Sequence, residues 1–144
     1  MASKKEALEL VEFYEENYRN PKLERFIISG LYDLNPEKEA QLEVESKWPK
    51  EWLNNGKAGV YFFLDENLEV AYIGKSNHFG YRFGSYFEYD ENKNCKTKHT
   101  WKTNPRFVLT VAVPDESKFE CTGLEEFLLS KIVTTDNKLF NNRE

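Results

Sequence analysis

Ala58-Gly59-Val60-Tyr61-Phe62-Phe63-Leu64, then Asp65-Glu66-Asn67, then Leu68-Glu69-Val70-Ala71-Tyr72-Ile73-Gly74, is the stretch on which the fold turns. Two apolar, β-branched and aromatic runs flank a cluster of turn residues, which is the pattern of a β-hairpin. A symmetric two- or four-residue loop would set Tyr61 opposite Tyr72 and Gly59 opposite Gly74. Phe63 and Val70 would share that face, and Val60, Phe62, Ala71 and Ile73 would share the other. Directly opposed residues lie about 5 Å apart at Cβ. Two phenols are therefore expected at the open end of the hairpin. Two glycines, which weaken strands, are expected to leave backbone accessible beside them.

Further signals follow the hairpin in order: Lys75-Ser76, then Arg82, then Ser85-Tyr86-Phe87. Together with the triplets Gly59-Val60-Tyr61 and Tyr72-Ile73-Gly74, this run resembles the GIY-YIG nuclease domain. It is especially similar to the amino-terminal nuclease domain of the incision subunit of bacterial nucleotide-excision repair. The family's later marks are a glutamate with apolar residues three and four positions on, and an asparagine near the domain's end. Glu125, before Leu128-Leu129, fits the first. Asn141 fits the second, with Asn142 beside it as the alternative. The likeness runs over roughly residues 58–142.

The resemblance implies a small α/β fold, a three-stranded antiparallel sheet flanked by helices. It also implies a metal-dependent endonuclease that cuts DNA. Tyr61 would accept or orient the proton of the attacking water, and Tyr72 would hold water or phosphate. Lys75 is expected to favour the phenolate, since a nearby cation lowers a phenol's pKa. Arg82 would bind the scissile phosphate. Glu125 would hold a single Mg²⁺ or Mn²⁺, hard cations with oxygen ligands. Asn141 would orient its neighbours, and His78, one turn before Arg82, is an accessory candidate. Read without the resemblance, Thr122-Gly123-Leu124-Glu125 is equally a capping box, in which the glutamate merely satisfies a helix-start amide. The rival for the whole chain is a module that keeps the fold and binds nucleic acid or protein without turnover.

The chain has 144 residues, 40% hydrophobic and 15% aromatic, enough for one packed core. Its start, Met1-Ala2-Ser3-Lys4-Lys5, has no apolar stretch of the kind a signal peptide needs. Cys95 and Cys121 fit a reduced, cytoplasmic setting, and with His99 they fall short of a four-ligand zinc site. The net charge of −5 argues against indiscriminate nucleic-acid binding. The segment 92–106 runs the other way, with Lys93, Lys96, Lys98, Lys102, Arg106 and Trp101 and no acid. It is expected to track phosphates and stack a base, unless it is only a solvated loop.

Residues 1–57 are expected to form an N-terminal helical extension packed on a nuclease domain at 58–144. Ser3 can cap a helix to about Tyr18. The run Phe26-Ile27-Ile28 reads as buried and helical, though its period is ambiguous. Asn35-Pro36 should open another helix, and Trp48 and Trp52 are expected to pin the extension. Phe107 to Val113 reads as the third strand, and a last helix should span about Gly123 to Val133. The chain closes just past Asn141, so specificity is expected from the extension, the basic segment, a protein partner or a homodimer.

Overall fold

In a computed structural model, the alternation read from Gly59 to Leu64 becomes a central strand buried on both faces. The structure describes residues 2–34, 54–89, 95–97, 105–134 and 136–137, with backbone alone at 85, 87–89 and 95–97. The order is α1 (Lys4–Asn17), β1 (Ile27–Ile28), β2 (Tyr32–Asp33), β3 (Gly59–Leu64), β4 (Val70–Ser76), α2 (Phe79–Tyr86), β5 (Phe87–Tyr89), β6 (Cys95–Thr97), β7 (Phe107–Ala112) and α3 (Glu120–Lys131). The main sheet is antiparallel and runs β1-β7-β3-β4, with β2 also on β7. β5 and β6 pair as a separate ribbon.

One face of the sheet carries Val60, Phe62, Leu64, Ile73, Leu109 and Val111, covered by Ala7 and Val11 of α1 and by Cys121, Leu124 and Leu128 of α3. The opposite face carries Tyr61, Phe63, Tyr72 and Val108 beneath Phe79, Phe83 and Tyr86 of α2. The expected three-stranded sheet is thus present as β4-β3-β7, with helices on both sides.

The hairpin's register differs from the symmetric expectation by two residues. Tyr61 faces Gly74, and Phe63 faces Tyr72. Asp65 Oδ1 accepts from the amides of Asn67 and Glu69, at 2.8 and 3.0 Å. Leu68 adopts a left-handed φ of 58°. This longer turn and the irregularity after Phe63 set Leu64 opposite Val70. Val70 therefore joins Phe62 and Ile73 in the core, not Phe63 as expected. Nor are the glycines accessible. The Tyr61 ring lies where a Gly74 Cβ would stand, and the Val111 carbonyl and Phe79 ring close over Gly59. An aromatic ring laid across a cross-strand glycine is a way of holding register.

The extension differs too. Ser3 caps α1 by accepting from Glu6 N at 3.1 Å. The run at 26–28 is not a buried helix: Ile27 and Ile28 are exposed and pair with Ala112 and Val111. Two residues of ladder carry no periodic signal, and the ambiguity came from that. The expected helix from Asn35-Pro36, and Trp48 and Trp52, lie outside the described residues. No helix among the described residues is long and apolar enough to cross a membrane.

Candidate functional site

The α2 face of the sheet ends in a polar cluster. Tyr61, on the central strand, is fully buried among Phe63, Phe79 and Phe83. Its hydroxyl donates to Tyr86 Oη at 2.9 Å. The hydroxyls of Tyr72 and Tyr86 share a hydrogen bond of 3.3 Å. Arg82 donates from Nε to Tyr61 Oη at 3.2 Å and from Nη2 to Tyr86 Oη at 2.7 Å. Its guanidinium also lies 4.8 Å from the Tyr86 ring centre. Three phenols and one guanidinium thus close a network at the edge of an apolar layer. Tyr86 is its hub, and the sequence reading gave it no role in the site. The signal was its position, one turn after Arg82 on the same helix face.

Glu125 approaches from the other layer. It is 3% exposed, on α3. Burial and Tyr86 raise the pKa of Tyr72 most; the charge of Arg82 lowers it, and that of Glu125 adds a smaller rise. The acid and the guanidinium therefore act on one phenol. The capping-box reading does not hold, because α3 begins at Glu120 and sets Thr122 and Glu125 inside the helix. Lys75 is exposed on β4 and donates from Nζ to Thr122 Oγ1 at 3.0 Å. Thr122 lies one turn before Glu125.

Lys75 does not favour a phenolate here. Burial pushes the pKa of Tyr61 well above that of a free phenol, and its neighbours Tyr86 and Tyr72 raise it further. The same holds for Tyr72, led by burial and its bond to Tyr86. Both stay neutral hydrogen-bond donors, and the reason is desolvation inside an aromatic layer. His78 is engaged elsewhere. Its Nδ1 accepts from Tyr81 N at 3.2 Å, so the neutral ring carries its proton on Nε2.

Arg106 is a correction. It was expected to meet phosphates, but it is buried and bound through Nε and Nη2 to both oxygens of Asp33, at 2.7 and 3.0 Å. It fastens β2 to β7 and is almost wholly withdrawn from solvent. Lys96 lies on β6, where only the backbone is described. Lys93, Lys98, Trp101, Lys102 and Asn141 lie outside the described residues.

Another asparagine, Asn137, meets the second triplet. Its Oδ1 accepts from Ile73 N at 2.8 Å, and its Nδ2 donates to Ile73 O at 2.6 Å. The side-chain amide imitates one more residue of sheet on the edge strand, between Tyr72 and Gly74. The sequence reading missed it because an asparagine in Thr-Thr-Asp-Asn looks like an ordinary turn.

Among the described residues no group of three or more His, Cys, Asp or Glu could hold a metal ion. Glu125 alone is an oxygen donor of the kind a hard cation accepts when water and substrate phosphate supply the remaining ligands. Compared with models of protein families, residues 57–132 match the one described as the UvrC-like GIY-YIG domain, more than half of the chain. No curated protein and no solved structure matches.

Proposed function

This chain belongs to the UvrC-like GIY-YIG domain family, a nuclease-type family, and from that premise we propose that it is an endonuclease hydrolysing DNA one strand at a time with a single divalent cation. The observation that carries the reading is Arg82 bonded to the Tyr61 and Tyr86 hydroxyls, with a buried carboxylate, Glu125, on α3. A cation bonded to phenols, with a carboxylate in electrostatic reach of one of them, is an arrangement suited to binding a phosphate and offsetting the charge that develops on it.

Arg82, always charged, binds an oxygen of the scissile phosphate by hydrogen bonds that strengthen as charge grows. Lys75 neutralises a neighbouring phosphate from the α3 side. Tyr61 and Tyr72 have raised pKa values, so they act by donating, not by taking a proton. Tyr72 orients water or a phosphate oxygen, and Tyr61 holds Arg82 and Tyr86 in place. Asn137 fixes the backbone between Tyr72 and Lys75. A Mg²⁺ or Mn²⁺ held by Glu125 would lower the pKa of a bound water and share the phosphate's charge.

The test is nicking of supercoiled plasmid with Mg²⁺ or Mn²⁺. Glu125→Gln and Arg82→Ala should each lower the rate on the order of 10²-fold or more, the scale of several kcal/mol of charge stabilisation. Wild-type cleavage equal to that of Glu125→Gln would overturn the enzyme reading and leave a binding module.

A further inference from the structure

His78 and Tyr81 lie outside the phenol network. His78, just ahead of α2, stands three residues before Tyr81 and four before Arg82, the spacings at which helical neighbours meet. The His78 ring lies flat on the Tyr81 ring, with centroids 3.9 Å apart and planes at 11°. The pair is fixed from below by backbone. His78 N donates to Ser76 Oγ at 2.9 Å, and Tyr81 N donates to His78 Nδ1 at 3.2 Å. Tyr81 is nevertheless 80% exposed. Its outer face meets no other ring among the described residues. Other exposed aromatics are used differently: Phe13 and Tyr18 pack on each other and on Phe127, in the opposite layer.

A tyrosine held flat in solvent by a second ring has given up rotamer freedom without burying its surface. What it offers is an open π face beside His78, which also stands at neighbour spacing to Arg82. Tyr81 and Arg82 point about 100° apart round the helix, with His78 at neighbour spacing to both, so a strand whose phosphate lies on Arg82 meets Tyr81 by passing His78, a span of about one nucleotide. Base-on-aromatic stacking is how proteins hold single strands.

We propose that Tyr81, backed by His78, is a stacking platform for an unpaired base next to the phosphate held by Arg82. The substrate class is then DNA with an unpaired or extruded nucleotide at the cut, such as a bubble, flap or single strand. A base inside a paired duplex is already stacked and reaches the platform only after paying for unstacking. The proposal rests on the nuclease reading of the same site.

Two DNA substrates of equal length test it, one fully paired and one with a central bubble carrying 2-aminopurine. Binding and cleavage are measured for wild type, Tyr81→Phe, Tyr81→Ala and Tyr81→Leu, with Phe13→Ala as the control on the opposite layer. Thermal unfolding shows which variants are folded, and Tyr81→Leu serves if alanine unfolds the helix. Wild type and Tyr81→Phe should prefer the bubble and change the 2-aminopurine emission. The alanine or leucine variant should lose about tenfold in affinity for the bubble, and with it the preference. Equal use of both substrates by wild type, or a preference that survives Tyr81→Leu, overturns the platform and leaves the nuclease standing. Absence of any cleavage by wild type overturns the nuclease reading instead.

Discussion

At the scale of single residues, burial decides what the site's phenols can do. Tyr61 and Tyr72 carry raised pKa values because their rings sit in an aromatic layer beside other phenols. Below about pH 10 they are neutral in both folded and unfolded chains, and contribute no pH dependence. Above it the unfolded chain ionises while the folded one does not, so the unfolded state is favoured and stability falls as pH rises. A phenolate-absorbance titration should therefore show Tyr61 and Tyr72 ionising only as the fold melts. Tyr61→Phe should remove part of that alkaline loss. It should cost roughly 1 kcal/mol at neutral pH, because Arg82 Nε and Tyr86 Oη lose their partner. Smooth titration of all eight tyrosines within the folded protein would contradict the picture.

At the scale of elements, the hairpin turns on one fit, the Tyr61 ring over Gly74. Gly74→Ala sets a methyl group into that ring, in a strand paired on one side and gripped by Asn137 on the other, so neither partner yields cheaply. The expected loss is about 1–3 kcal/mol, read as a lowered Tm. Gly84→Ala makes the contrast. It lies in α2 with nothing among the described residues within 4 Å of its added carbon. There the helix preference of alanine should raise stability by up to about 1 kcal/mol. The same comparison shows what the chain could disclose beforehand. The strands β3, β4 and β7 and their faces were legible, because alternation is local and period two survives a shift of two residues. The register was not legible, because it depends on a left-handed Leu68. Tyr61, Tyr72, Arg82 and Glu125 were singled out by the resemblance of the motifs that hold them, whereas Asn137 owes its place to a strand edge 64 residues earlier in the chain.

At the scale of the whole molecule, the first 34 residues complete the fold that carries the site. Ala7, Val11, Phe26 and Leu31 enter the main core, and β1 and β2 cover the edge of β7 that would otherwise be open to a second chain. The fastening is the buried pair of Arg106 and Asp33, 73 residues apart, a distance at which no sequence spacing could join them. Removing Asp33 strips the buried guanidinium of its two short carboxylate bonds, and Glu66, more than half-exposed and 3.8 Å from Nη1, is a poor substitute. Asp33→Ala should therefore cost roughly 3–5 kcal/mol and lower the urea midpoint accordingly. Replacing both, Asp33→Leu with Arg106→Met, should recover most of that loss, since an apolar pair needs no desolvation. The double variant also separates structure from recognition. Arg106 is almost wholly buried against Asp33, so in the refolded double variant the dependence of DNA affinity on salt should match that of wild type. A phosphate contact would instead lower the slope by about one, and such a drop would return Arg106 to the nucleic-acid interface.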